Sequence, residues 1–302
     1  MSAHILTREA CPACGHTTFR SFFKRSFNEE LLQKYMFESY QGNANMEILK
    51  DVDFEIVRCN ACSLAYQKYI LDDEMLDELY DKWIDPVLAR EWTASTGESV
   101  AYYEKIFNFT ISNLGKKPAD IKVLDFGAGF GDSLIIAKRM GFDCYAFEYS
   151  LERIRYMEQK DIKVITTDSN SDMLFDLIIL NEVLEHVSDP CSILKAINSR
   201  LKQNGIVYFD VPDCAAIEEK MAVTQTITSE HQFKAVLLAA NVCAFQHINF
   251  FNNKSLRQLL KKEGLKIMSP FKQAFTTPIS IKSFVRPFYR YYIRTGFYLV
   301  KS

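Results

Sequence analysis

No run of about eighteen apolar residues occurs anywhere in the chain, which excludes a membrane-spanning helix of ordinary length. The stretch Met1 to Ala10 carries His4, Arg8 and Glu9 and lacks an apolar core of signal-peptide length. An excess of one charge is missing as well: 36 Lys and Arg face 38 Asp and Glu, so no global basic field argues for nucleic acid. Internal repeats and low-complexity tracts are absent too. These absences lead us to expect a cytoplasmic protein, where thiols stay reduced and the eight cysteines do not pair as disulfides. What is present is 302 residues with 48% hydrophobic content, enough for one large core and a smaller attached module.

The stretch around which the chain is organised is Val123-Leu124-Asp125-Phe126-Gly127-Ala128-Gly129-Phe130-Gly131. A short apolar strand runs into alternate glycines, and helical spacing begins at Asp132. A dinucleotide fingerprint sets its third glycine three residues beyond the second, whereas the spacing here is G-x-G-x-G with Asp125 just ahead of the loop. A carboxylate there repels a pyrophosphate but can hold the loop or pair with a cationic group. Further buried strands follow at Phe142 to Phe147, ending at Glu148, at Ile162 to Thr166, followed by Asp168, and at Leu174 to Leu180. The last runs into Asn181-Glu182-Val183-Leu184-Glu185-His186-Val187-Ser188-Asp189-Pro190.

Taken in order, these pieces resemble the class I S-adenosylmethionine-dependent methyltransferases. The resemblance implies an α/β, doubly wound, Rossmann-like fold with a seven-stranded sheet. It implies cofactor contacts at Asp125, Gly127, Ala128, Gly129 and Gly131, ribose hydroxyls on Glu148, adenine beside Asp168, and Asn181 in the same set. Read from the residues alone, Glu148 is also compatible with an exposed carboxylate opening the next helix, and Asp168 with a turn aspartate.

Four cysteines form two pairs, Cys11-Pro12-Ala13-Cys14 and Cys59-Asn60-Ala61-Cys62. Two residues between ligands let both thiolates of a tight turn meet one metal, so the pairs predict a closed, structural zinc site in a zinc-ribbon-like module. The alternative of a redox pair lacks the strand-to-helix setting that such a site uses. His16 is the competing ligand and is expected outside the shell. Cys144, Cys191, Cys214 and Cys243 read as small core residues.

The remaining pattern divides the chain into a zinc-binding module (1–70), a helical connecting layer (71–115), a cofactor-binding core (116–213) and a final segment (214–302). Helices are expected at Asn28 to Ser39, Asp72 to Tyr80, Pro86 to Trp92 and Glu98 to Leu114, with Asp72 or Asp73 as a cap. A strand at Phe54 to Arg58 enters the second cysteine pair. Pro190 starts a helix to Leu201, and a fifth strand spans Ile206 to Val211. Helical stretches at Cys214 to Met221 and Ser229 to Ala240 form an insertion where acceptor specificity can be built. A helix at Asn253 to Glu263, a sixth strand at Leu265 to Met268, and a seventh strand with a last helix from Thr276 complete the reading.

The cysteine pairs, the glycine loop, the motif from Val183 to Pro190 and the segment His247-Ile248-Asn249-Phe250-Phe251 together resemble the zinc-containing sugar methyltransferases of deoxysugar and surface-polysaccharide biosynthesis. That resemblance implies a nucleotide-activated or polysaccharide-precursor sugar as acceptor. Its C-methylating members carry Tyr-His-Glu-His where this chain has Ala244, Phe245, Gln246 and His247. Only the last histidine is kept, so oxygen methylation with a single base, His247, fits better, and His186 competes for that role. An RNA-modifying methyltransferase and a non-catalytic binding protein of this fold remain as alternatives. Lys282, Arg286, Arg290 and Arg294, set among aromatics without an acidic residue from Lys282 to Ser302, form either a structural tail or a surface for an anionic or membrane-surface partner.

Overall fold

The computed structural model describes residues 4–85, 97–165, 172–269 and 297–301. The chain divides into two compact units, each built from separate stretches. One, the cysteine unit, comprises Met1–Ala89, Leu184–Cys191 and Pro212–Leu259; the other, the sheet unit, comprises Arg90–Val183, Ser192–Val211 and Leu260–Ser302. The expected helix at Pro86 to Trp92, the residue Asp168 and the tail cations Lys282, Arg286, Arg290 and Arg294 lie outside the described residues. No helix among the described residues is long and apolar enough to cross a membrane.

In the cysteine unit, β1 (Ile5–Thr7) pairs antiparallel with β5 (Tyr69–Leu71). Strands β2 (Phe19–Ser26), β3 (Asp53–Cys59) and β4 (Ala65–Gln67) form an antiparallel sheet. A distant stretch, β11 (Asn249–Phe250), adds its edge strand, with Asn249 opposite Tyr66 and Phe250 opposite Ala65. That pairing is why Pro212–Leu259 belongs with the N-terminal residues: backbone groups of β4 find their partners there. Helix Glu30–Ser39 buries Leu32, Tyr35 and Met36 at helical spacing. Helix Glu230–Ala239 contributes Phe233 and Leu237 to the same core, along with Phe27, Phe54 and Phe245. The Asp72 cap is as expected, with Met75 N donating to its Oδ1 at 2.9 Å. The helix it opens ends at Glu78 and passes into a π-helical turn, Leu79–Trp83, that buries Leu79 and Trp83.

The sheet unit holds β6 (Lys122–Phe126), β7 (Asp143–Phe147), β8 (Lys163–Ile165), β9 (Phe175–Asn181), β10 (Leu201–Asp210), β12 (Leu265–Ile267) and β13 (Phe297–Lys301). Their order is β12-β13-β10-β9-β6-β7-β8. Strands β6 to β10 are parallel to one another, and β13 runs antiparallel between β10 and β12. This is a seven-stranded, mostly parallel α/β sheet of the methyltransferase type. Every residue of β9 but Asn181 is buried, as a strand covered on both faces requires. Strand β10 starts earlier than the sequence indicates: Leu201 already pairs with Phe175, and an irregularity in register precedes Ile206. Helix Gly97–Leu114, part of the expected connecting layer, packs Ile106, Phe107 and Phe109 into the core of this unit. The strand order reverses at β6 beside β9, so the ligand crevice lies outside the carboxyl ends of these strands.

Candidate active site

At the end of β6 the chain turns through Gly127 and Ala128, whose N–H groups both donate to the Phe147 carbonyl of β7, at 2.9 and 3.2 Å. Gly127 has φ +75°, and a Cβ there would lie 2.9 Å from Val183 Cγ2, so both backbone and neighbour demand glycine. Gly129, at φ +58°, has nothing within 4 Å of such a Cβ. Its outer face is open to a ligand that approaches the backbone closely. Gly129 N–H donates to Glu148 Oε2 at 2.8 Å, while Tyr149 and Ser150 N–H donate to Oε1 at 2.9 and 3.1 Å. Glu148 thus ties the loop to the end of β7. Gly131 precedes helix Asp132–Arg139, and the Ser133 hydroxyl of that helix donates to Asp125 Oδ2. Asp125 is therefore a buried brace between strand and helix. Burial pushes its carboxyl up to about 7, the Ser133 bond acts to lower it, and the charge of Glu148 adds to the rise.

Asn181 stands at the carboxyl end of β9, where its Oδ1 accepts from Tyr102 Oη at 3.2 Å. Tyr102 and Tyr208 hydroxyls meet at 2.5 Å, and both reach Asp210 Oδ2 at 3.2 Å. Burial raises the Tyr103 phenol, as do the surrounding carboxylates Asp125, Asp132, Glu182 and Asp210. These acidic groups gather about the strand ends, a field that welcomes a cation and repels a phosphate. An open glycine loop, a carboxylate after β7 and this acidic surround fit the sulfonium and amino group of S-adenosylmethionine. Tyr102 and Asp210 escaped the sequence reading, because their role depends on which strand ends adjoin.

In the cysteine unit, His186 and His247 meet edge to face, with ring centroids 4.8 Å apart. His186 Nδ1 lies 2.9 Å from the Gln246 carbonyl, and His247 Nδ1 lies 2.8 Å from the Asn241 carbonyl. A carbonyl only accepts, so each neutral ring carries its proton on Nδ1 and its lone pair on Nε2. Burial lowers the His247 pKa, with the Asn241 bond acting in the opposite direction. The segment before His247 is held by Gln67, fully buried, whose Nε2 donates to the His247 carbonyl at 2.8 Å and whose Oε1 accepts from Phe245 N at 3.3 Å. Phe245 keeps φ +65°, a costly conformation for a bulky residue. Its ring stacks on Phe27 at 5.3 Å. Asn249 donates from Nδ2 to the Leu184 and Val187 carbonyls at 2.8 and 2.7 Å. Buried Arg8 donates to Asn249 Oδ1 at 2.8 Å and to the Ile248 carbonyl at 3.1 Å. Arg8 and Gln67 carried no local signal of this role.

The four predicted metal-ligating cysteines come together in the same unit. Their sulfurs all lie within 4.8 Å of one another, with Cys11 Sγ 3.5 Å from Cys62 Sγ and Cys14 Sγ 3.5 Å from Cys59 Sγ. Backbone N–H groups of Ala13 and Cys14 turn toward Cys11 Sγ, and that of His16 toward Cys14 Sγ. The His16 ring instead meets Thr18 Oγ1 at 2.8 Å. Of the other four cysteines, Cys144, Cys191 and Cys214 are buried and Cys243 is partly so, and Cys191 Sγ lies 3.4 Å from the Pro12 and Ala13 carbonyls.

The family described as "Methyltransferase domain" matches residues 101–269, more than half of the chain. The chain belongs to that family, and it is an S-adenosylmethionine-dependent methyltransferase. Among solved structures it is similar to the plantazolicin methyltransferase BpumL in complex with SAH, at 16% identity over 76% of this chain and 98% of that one, with a TM-score of 0.46. It is similar also to the plantazolicin methyltransferase BamL, at 15% identity over 70% and 87% of the two chains with a TM-score of 0.47. PKMT2 from Rickettsia typhi aligns at 16% identity over 67% of this chain and 53% of that one, with a TM-score of 0.42. At such identities and scores, nothing about the acceptor follows. No curated protein matches the chain in sequence.

Proposed function

We propose that this enzyme methylates an oxygen of a sugar or sugar-containing small molecule, and that Cys11, Cys14, Cys59 and Cys62 hold one structural zinc ion. The observation that carries the acceptor reading is the anchoring of His186 and His247 through Nδ1 to backbone carbonyls, which presents Nε2 as a base. S-adenosylmethionine, when bound, supplies a methyl group already activated on a sulfonium. The protein's task is then to hold an oxygen in line, take its proton and exclude water. On this reading Gly127, Ala128, Gly129 and Gly131 shape the cofactor cradle, and Asp125, Glu148 and Asn181 hold it. Asp168, outside the described residues, is assigned to the adenine by resemblance alone. His247 takes the acceptor proton, with His186 packed against its ring. Removing a proton from carbon needs further acid–base groups. Here position 244 is a buried alanine whose carbonyl accepts from Tyr40 Oη, and Gln246 has no ionisable side chain.

The zinc reading is supported by the sulfur geometry. A tetrahedral ion with Zn–S bonds of about 2.3 Å sets its sulfurs about 3.8 Å apart, within the range found here. Four protein ligands leave no open position, so the ion would hold the fold and take no part in transfer.

The test is to incubate the enzyme with methyl-labelled S-adenosylmethionine and a panel of nucleotide-activated sugars, with RNA as contrast. Label in a sugar oxygen is the expected result. Label in RNA alone, or at a sugar carbon, would overturn the acceptor assignment.

A further inference from the structure

Two imidazoles that present Nε2 lone pairs can receive a cation as well as a proton. Beside them stands a third donor that the sequence reading passed over: the Glu185 carboxylate, only 1% exposed. One ligand atom from each of Glu185, His186 and His247 lies within 4.8 Å of the other two, and His186 Nε2 is 4.0 Å from Glu185 Oε1. We propose that these three residues form a second metal site, for a divalent transition-metal ion of the zinc class, with open positions for the hydroxyl oxygen of the acceptor. The proposal rests on the histidine pair being the acceptor side and deepens that reading, with the ion in place of the His247 Nε2 lone pair as the group that activates the hydroxyl.

The donor set is one argument. Two imidazole nitrogens and one carboxylate suit a zinc-like ion, and three protein ligands leave room for a further oxygen, unlike the closed set of four sulfurs. The outer partners are another. Metal-bound histidines ordinarily give their second N–H to a carbonyl or carboxylate, which fixes the ring. Both rings here have that arrangement through Nδ1.

Rigidity is a third argument. The Glu185 carbonyl accepts from Ile248 and Asn249 N–H at 2.7 and 3.1 Å. Together with the bonds from Asn249 to Leu184 and Val187, this locks the turn bearing Glu185 and His186 onto the strand that follows His247. Metal bonds of about 2.0–2.2 Å would set neighbouring donors about 3.4 Å apart, so a cation draws the carboxylate and the His186 ring in from 4.0 Å. A hydroxyl oxygen bound to that ion would release its proton to solvent more readily.

The test uses the full-length protein with its cysteine site loaded with zinc and then titrated with cobalt(II). The expected result is one cobalt per chain with a visible d–d absorption and no sulfur-to-cobalt charge-transfer band. His247→Ala should abolish that signal, and Glu185→Gln, which keeps the side-chain shape, should weaken binding about tenfold or more. S-adenosylhomocysteine affinity should stay unchanged in both. If His247→Ala fails to fold, the Glu185→Gln titration decides alone. No cobalt beyond the cysteine site, or equal cobalt affinity in wild type and Glu185→Gln, overturns the proposal. Methyl transfer that persists without bound cobalt sinks the metal and leaves His247 as the bare base. Cobalt binding with no methylation of any hydroxylated acceptor sinks the acceptor reading and leaves a metal site.

Discussion

Asn249 donates from Nδ2 to the Leu184 carbonyl at 2.8 Å, joining the strand after His247 to the turn that carries His186. The same side chain reaches Val187 and accepts from Arg8, so one amide sets the register of both histidines. Asn249→Ala leaves two carbonyls, one buried and one partly buried, and a guanidinium short of partners. It should lower unfolding free energy by about 2–4 kcal/mol and cut methyl transfer, with S-adenosylhomocysteine affinity unchanged. Denaturant titration and calorimetry check this, and an unshifted midpoint contradicts it.

The glycine loop makes two different demands. Gly129→Ala meets open space, so it should cost only about 1 kcal/mol of backbone strain yet abolish cofactor binding by filling the cradle. Gly127→Ala adds a collision with Val183 and should cost roughly 2–4 kcal/mol. Melting temperature and S-adenosylhomocysteine titration separate the two effects. Normal affinity in Gly129→Ala would show that nothing binds against that face.

Asp125 gives a pH signature. The unfolded chain releases this proton near the ordinary carboxylate value of about 3.9, while burial keeps the folded carboxyl protonated to about 7. Between those values the folded state binds more protons, so stability falls as pH rises, and levels off above about 7. Asp125→Asn has no such proton. The unfolding free energy of wild type minus mutant should therefore fall by up to about 4 kcal/mol from pH 4 to pH 7. A flat difference contradicts the assignment.

Cys59→Ser removes one sulfur of four. Chelator-resistant zinc should drop from one per chain to none, and the cysteine unit should unfold at lower temperature as the metal's folding free energy is lost. Cofactor affinity should survive. Elemental analysis with no zinc in gently purified wild type would end the zinc account.

Strands β6, β7 and β9 were legible because burial on both faces leaves nearly unbroken apolar runs, and Asp72 was legible because a cap is a local bargain of one side chain with one N–H. Strand β2 was not: Arg20, Lys24 and Arg25 interrupt Phe19, Phe22 and Phe23, and an edge strand tolerates such charges. The π-helical turn at Leu79–Trp83 has no periodic signature of its own. The helical stretches Cys214 to Met221 and Ser229 to Ala240 read only as an insertion to the sheet, because the two-residue strand β11 beyond them is too short to announce a partner, and that partner, β4, lies far away in sequence. Among the proposed site residues, Asp125, Gly127, Gly129 and the two cysteine pairs stand out by spacing. Arg8, Gln67 and Glu185 do not, since their roles arise only when distant stretches meet.

The account's central claim is that the glycine loop binds the cofactor while the histidine pair activates the acceptor. Single-turnover transfer of a labelled methyl group, measured beside S-adenosylhomocysteine affinity in His247→Ala, tests it most directly. The account predicts transfer slowed by about a hundredfold to ten-thousandfold with affinity unchanged. Transfer at the wild-type rate, or a loss of affinity in step with the loss of rate, would contradict it.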